Sequence, residues 1–321
     1  MPKGSLNLSL TRSSISEFTI VDMNDRGDYL LLVSPVDATY REYVRLYQGT
    51  KTSLGRVTPD IRYFLSPNGN TIRRVGQAQM ASSLQSRMLG GPVTSAYNEI
   101  RFYRRFNDDG SVLNVRFDQQ KKESFFHLRV DKSGVPPVVF YTSTNPMMIL
   151  EKGDSGDIWV RESVKNNSAT DDILWKFNGT NKEQITLPKG YKAVDRVAQT
   201  GATLAATFGN IQGTDPLRAF VRANNGWKEL PLPDGYSFSY VQKVFLDGSI
   251  LGFVTDGERG HFKQVVWKGD SVAILDDLPA WPKNGQVSLI VQATRKGDLY
   301  VRNVTDTSSG ASEYYLLSLK L

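Results

Sequence analysis

Leu246-Asp247-Gly248-Ser249-Ile250-Leu251-Gly252-Phe253-Val254 reads as a strand end, a tight turn closing on glycine, and a second strand of β-branched and aromatic residues. A tight hairpin needs positive φ at one turn position, where a Cβ is penalised, and Gly248 meets that need. Asp247 steadies the same turn through local side-chain hydrogen bonding. Downstream, Phe262-Lys263-Gln264-Val265-Val266-Trp267 forms a third strand, Lys268-Gly269-Asp270 a turn, and Ser271 to Leu275 a fourth. One stretch of chain therefore encodes four short antiparallel strands.

The same unit recurs in both directions. Turns ending in glycine precede a strand at Asn24-Asp25-Arg26-Gly27, Ser66-Pro67-Asn68-Gly69, Asn107-Asp108-Asp109-Gly110 and Gly153-Asp154-Ser155-Gly156, then at Gln199-Thr200-Gly201 and Arg295-Lys296-Gly297. Between successive turn glycines the steps are 42, 41, 46, 45, 47 and 49 residues. Third and fourth strands repeat as Ile173–Lys176 with Glu183–Leu187, and as Arg218–Arg222 with Trp227–Leu230. The third strand carries a basic residue after its apolar pair at Arg45, Arg129, Lys176, Arg222 and Lys268. Matching connectors, Leu187-Pro188-Lys189-Gly190-Tyr191, Leu232-Pro233-Asp234-Gly235-Tyr236 and Leu278-Pro279-Ala280-Trp281-Pro282, join the units. The second copy is the weakest, because Met80 to Thr94 alternates poorly.

Four antiparallel strands in each 40 to 50 residues is the blade of a propeller. A β-sandwich has no reason to repeat at that interval along a whole chain, and no segment of ordinary length has a helical period. The expectation is an all-β, seven-bladed β-propeller of four-stranded antiparallel blades, occupying residues 1–321 as a single domain. The last unit is one strand short, with strands at Val287–Ala293, Asp298–Val304 and Glu313–Leu319. Residues 5–11 contain the alternating Leu6-Asn7-Leu8-Ser9-Leu10 and are expected to complete that blade, closing the ring and removing an exposed sheet edge.

LDGSILGFV (246–254), RAFVRANNG (218–226) and QVVWKGD (264–270) resemble the HAF-type extracellular repeats of bacterial proteins over about 90 residues. The motif residues are turn and core residues, so the resemblance implies fold. Because such repeats are often secreted, it also implies an extracytoplasmic (periplasmic or secreted) location. The Trp-Asp propeller repeat is a more distant likeness: Trp175 and Trp267 match its tryptophan, while the Trp-Asp dipeptide and Gly-His pair are missing.

Composition narrows the chemistry. With 40% hydrophobic and 22% charged residues the chain is ordinary globular material. No run approaches the ~18 apolar residues that would span a bilayer. Met1-Pro2-Lys3-Gly4-Ser5 lacks the apolar core of a signal peptide, implying an intracellular chain or a processed or engineered start. There is no cysteine, which excludes disulfides and thiolate metal sites, and His127 and His261 alone do not make a multi-histidine zinc site. No metal or cofactor is expected. The net charge of +6 favours anionic partners without pointing to nucleic acid.

Motif readings resolve mostly into turns. Asp22 to Asp28 and Asn107 to Gly110 have the carboxylates of a calcium loop, but the twelfth position is Val33 or Asp118 rather than glutamate. Arg26-Gly27-Asp28 is the integrin-type tripeptide, at a place where a hairpin wants Gly and Asp anyway. Asn7, Asn166, Asn178 and Asn303 sit in glycosylation triplets. There is no G-x-S-x-G, and neither histidine has an evident Ser or Asp companion; His127 is expected to pack between blades, and His261 is the better functional candidate. Converging carboxylates could act as in propeller glycosidases, although sequence does not show which converge.

Binding is assigned to two sets of residues. Arg74, Arg161 and Arg302 recur five residues after the turn glycine, with Arg116 one position later, and Lys121 and Lys122 add to a basic stretch. Arginine suits bidentate contact with carboxylate or phosphate. The second-to-third-strand and unit-to-unit connections share one face and read as long and polar, including Asp118–Ser124 and Ser163–Asp172. Tyr141, Tyr191, Tyr236 and Trp281 are expected to edge that face as anchors. The functional expectation is a non-enzymatic recognition or scaffold propeller holding a protein partner or anionic polymer through its long-loop face. The alternative is a carbohydrate-binding or carbohydrate-active propeller.

Overall fold

The computed structural model describes residues 9–14, 18–33, 39–48, 50–57, 61–65, 72–76, 111–120, 123–132, 135–153, 155–166, 169–210, 217–223, 226–257, 261–283, 287–306, 308 and 311–320. The chain forms two compact units, Ile15–Met147 and a larger one made of Met1–Ser14 with Met148–Leu321. No helix among the described residues is long and apolar enough to cross a membrane.

The chain opens with β1 (Ser9–Ser14), a strand of the larger unit. In the smaller unit, β2 (Phe18–Met23), β3 (Tyr29–Val33), β4 (Glu42–Tyr47) and β5 (Thr50–Arg56) form one antiparallel sheet in that order. A hairpin of β6 (Ile61–Leu65) and β7 (Ile72–Gly76) follows, and then β8 (Val112–Gln120), β9 (Glu123–Lys132) and β10 (Val135–Ser143), with β9 central. Leu30, Tyr43 and Leu65 form the buried core between β2–β5 and β6. The amide of Leu65 donates to the Asp22 carboxylate at 3.0 Å across the same junction.

The larger unit holds four sheets of four strands. The first is β11 (Met147–Lys152), β12 (Ile158–Asn166), β13 (Ala169–Asn178) and β14 (Asn181–Ile185). The second is β15 (Ala193–Thr200), β16 (Thr203–Gly209), β17 (Arg218–Ala223) and β18 (Gly226–Glu229). The third is β19 (Phe238–Val244), β20 (Ile250–Thr255), β21 (Phe262–Lys268) and β22 (Ser271–Ile274). The fourth joins β23 (Val287–Ala293), β24 (Asp298–Asp306) and β25 (Ala311–Lys320) to β1.

Successive sheets pack face to face, and period-two alternation sorts their side chains. Leu204, Ala206 and Phe208 of β16 pack toward Trp159 and Leu174 of the preceding sheet, whereas Ala205 faces the following sheet and Trp267. Ile250 and Val254 of β20 likewise face back, and Leu251 faces forward to Leu299 and Leu317. Middle strands are therefore buried on both faces, while the outer strand β14 is largely exposed. The glycine in Ile250-Leu251-Gly252 has a packing reason: a Cβ there would run into the carbonyl oxygen of Tyr240 and the indole of Trp267.

The hairpins follow the sequence. Gly27, Gly156, Gly201, Gly248 and Gly297 have φ of 92°, 84°, 56°, 83° and 100°, while Gly69 and Gly110 lie outside the described residues. The basic residue of the third strand now has a cause. Arg45 bonds Asp28 at 3.0 Å, Lys176 bonds Asp157 at 3.2 Å, and Lys268 bonds Asp247 at 2.8 Å, each tying the third strand to the turn of its own sheet.

Two expectations change. The strand beside β25 is described over Ser9–Ser14, paired from Ser9↔Lys320 to Ser14↔Tyr315: Ser9 to Thr11 pair as expected, the pairing runs on past the expected end at residue 11, and residues 1–8 lie outside the described ones. Ladder bonds come from the backbone, so polar Thr11 to Ser14 serve as well as the leucines. The expected loops Asp118–Ser124 and Ser163–Asp172 are mostly ladder, with β8–β9 pairing out to Gln120↔Glu123 and β12–β13 out to Asn166↔Ala169. A polar run resembles a loop in sequence, yet strands exposed to water carry polar side chains equally well.

Candidate functional site

A cleft of about 740 Å³ opens in the larger unit around the sheet β19–β22. Three connections build it. The Pro233–Tyr236 turn brings Asp234 and Tyr236, closed by the Tyr236 amide on the Pro233 carbonyl at 3.4 Å. The β20–β21 connection and the start of β21 bring Asp256, His261, Phe262 and Lys263. A short 3-10 helix, Leu275–Asp277, brings Asp276 and Asp277, and the turn after it, closed by the Trp281 amide on Leu278 at 3.1 Å, brings Trp281, Pro282 and Lys283. Leu275, fully buried, anchors that helix in the core below.

The carboxylates differ in environment. Burial pushes the Asp276 carboxyl above the ordinary aspartate value, and outweighs the Gln264 amide at 2.9 Å and the Lys263 ammonium at 3.5 Å, which favour its charge. Asp256 accepts from His261 Nδ1 at 3.1 Å across its own connection. Burial also raises Tyr236, so its phenol remains a donor. A carboxyl raised by burial, in the same cleft as one oriented by histidine, offers groups suited to acid–base chemistry. The described residues contain no group of His, Asp and Glu arranged to hold a metal ion.

Of the residues expected from sequence, the cleft collects Tyr236, His261 and Trp281. Trp281 is only 3% exposed, so it is no surface anchor. Tyr191 packs edge-on to Phe220, its ring 5.2 Å away in the core between two sheets, because its connector turns inward over β16 and β17. Arg161 donates to the Val194 carbonyl at 2.9 Å and Arg302 to Ser312 Oγ at 2.9 Å, internal bonds rather than a binding row. Arg74 lies on β7 and Arg116 on β8, in strands whose side chains there are outside the description, and Lys121 and Lys122 lie outside the described residues.

The motif readings settle as turns. Asn24 Oδ1 accepts the amides of Arg26 and Asp28, at 3.1 and 3.0 Å, and its Nδ2 donates to Asp28. Asp28 is fully buried against Arg45, and Arg26 stacks on Tyr47, so the tripeptide is folded into its own hairpin. Asn303 is buried and accepts from Ser288 Oγ. His127 contacts Thr142 Oγ1 at 2.9 Å, its partner across β9 and β10, and stacks beside Phe125.

Sequence reasoning missed Asp256, Lys263, Asp276 and Asp277. A signal existed: Leu275-Asp276-Asp277-Leu278-Pro279 places two acids ahead of the connector, where the earlier copies have Thr186 and Pro231.

No protein-family model matches the chain, and no curated protein matches it. Solved structures do. The β-propeller domain of the trilobed protease from Pyrococcus furiosus aligns over 95% of this chain and 94% of its own, at 10% identity and TM-score 0.53. Oligogalacturonate lyase from Vibrio parahaemolyticus aligns over 98% of each chain, at 12% identity and TM-score 0.55. The acylaminoacyl peptidase of Pyrococcus horikoshii aligns over 94% of this chain, at 11% identity and TM-score 0.57, and the chain spans about half (51%) of that protein. These likenesses show the β-propeller fold. They also overturn the expectation of a non-enzymatic scaffold, since the propellers in question belong to a lyase and to peptidases. Two of the connections behind that expectation, Asp118–Ser124 and Ser163–Asp172, have become mostly ladder, for the reason given above.

Proposed function

We propose that the chain is a carbohydrate-active enzyme whose cleft hydrolyses a glycosidic bond in a neutral or amino-bearing oligosaccharide. The observation that carries this reading is Asp276, a carboxyl raised by burial in the same cleft as the Asp256–His261 pair. Asp276 gives its proton to the leaving glycosidic oxygen as the bond to the anomeric carbon breaks. Water attacks that carbon and surrenders a proton to Asp256. Tyr236 donates to a sugar hydroxyl.

Charge narrows the substrate. Among the described lining residues, Asp234, Asp256, Asp276 and Asp277 outnumber the lysines Lys263 and Lys283, and Lys263 already leans on Asp276. Such a cleft repels uronates and other anionic polymers. Around it we infer a single closed ring of seven blades, supported by the seven evenly spaced turns and by β1 lying beside β25. The resemblance of units five and six to HAF-type repeats supports an extracytoplasmic setting.

The test is a reducing-end assay with cellotriose, maltotriose, a glucosamine trimer and a galacturonate trimer. Turnover of a neutral or amino sugar is expected, falling on the order of 100-fold or more in Asp276→Asn. Turnover of galacturonate alone, or of none of the four, defeats the reading.

A further inference from the structure

The five tryptophans are not equivalent. Trp159 donates its indole N–H to Gln199 Oε1 at 2.7 Å, Trp175 to Glu162 Oε2 at 2.6 Å, Trp227 to the Thr186 carbonyl at 2.9 Å, and Trp267 to the Pro231 carbonyl at 2.8 Å. Trp281 Nε1 is buried and has no hydrogen-bond partner among the described residues. A buried donor left unmade costs free energy, and native structures tolerate few of them without a functional or structural reason. Trp281 is also the tryptophan that lines the cleft, beside Tyr236, Lys263, Asp276 and Lys283.

We propose that the indole N–H of Trp281 is a substrate-binding donor, accepted by a hydroxyl or ring oxygen of the sugar in the cleft. This rests on the glycosidic reading above and adds a specificity-determining residue to it. The nitrogen is buried in the free protein, so binding requires the side chains over it to make way for the sugar. Three features favour an oxygen of a polyol as the acceptor. The cleft is rich in carboxylates that accept sugar hydroxyl protons, Tyr236 is a second donor, and the acidic surround disfavours a carboxylate or phosphate as the partner of Trp281. The indole ring meanwhile stays packed on Leu275 and Val266 in the core, which holds its N–H in a constant place.

The experiment is indole proton–nitrogen NMR of the full chain labelled with nitrogen-15. The Trp281 signal is assigned from Trp281→Phe, or by contacts to Leu275 should that variant not fold. In the free protein its proton is expected upfield of the four hydrogen-bonded indoles. Cellotriose, maltotriose and the glucosamine trimer are then titrated separately. The sugar that binds should move the Trp281 proton downfield, and Trp281→Phe should weaken that sugar about 3- to 10-fold. A Trp281 proton already at the hydrogen-bonded position in the free protein, or one unmoved at saturation, overturns the inference while leaving the glycosidic reading standing. If none of the sugars binds, both readings fall.

Discussion

At the scale of single residues, this molecule is governed by what each side chain meets on its own face of a sheet. Gly252 shows how tight that accounting is. It sits in β20 under Trp267 and opposite the Tyr240 carbonyl, and a methyl group there meets backbone on one side and a buried indole on the other. Gly252→Ala is expected to cost about 1–3 kcal/mol, the usual penalty for overpacking a core, read as a lower urea midpoint with unchanged slope. The paired residues of the hairpins follow a similar logic. A third-strand cation reaches the carboxylate of each turn, the buried Asp28 and Asp157 and the exposed Asp247 alike. That cation was visible in the sequence as a recurring Arg or Lys, and its purpose became clear once the turn carboxylate was seen beneath it.

At the scale of elements, sheets hold together through ladders inside and buried hydroxyls between. Thr200 Oγ1 donates to the Val244 carbonyl at 2.8 Å, and Thr207 Oγ1 accepts from the Val241 amide at 2.9 Å, each strapping one sheet to the next. The strand β1 is the exception, since it comes from the far end of the chain and covers the edge of β25 along six residue pairs. Deleting residues 1–14 uncovers that edge, and uncovered edges lower stability and template aggregation. The truncated chain is expected to melt several degrees lower and to scatter light on heating, as followed by circular dichroism and static scattering. A melting temperature equal to that of the full chain would remove β1 from the account of closure.

For the molecule as a whole, carboxylates shifted in opposite directions tie stability to pH from both sides. Burial raises Asp157 and Asp247, but hydrogen bonds outweigh it and leave both below the ordinary aspartate value. Asp157 gains from Ser155, Lys176 and Gln199, and Asp247 from Lys268 and Ser249. A lowered carboxyl stabilises the fold above its unfolded pKa, near 4, and that contribution is lost as pH falls through the folded value. Asp276 is raised by burial, so it stabilises at acid pH and loses that contribution as pH climbs through its folded value. Urea melts across pH should therefore show Asp157→Asn/Asp247→Asn losing less stability in acid than the parent. Asp276→Asn, which can still accept the Gln264 amide, should gain on the parent as pH climbs above about 4 and, on the proposed function, lose turnover.

By itself the sequence determined the all-β class, the four-stranded unit of the larger part, the five described turn glycines, the limits of strands such as Val287–Ala293, and the core identity of Trp267 and Val265. These are local properties: positive φ is a matter of neighbouring atoms, and period-two burial is a matter of residues two apart. Only the tertiary structure decided that Asp234, Asp256, Asp276 and Asp277 share one cleft, that Tyr191 turns into the core, and that Trp281 is buried with an unmet N–H. Desolvation and convergence depend on segments up to 54 residues apart along this cleft's lining, from Asp234 to Ser288, brought together by packing rather than by adjacency.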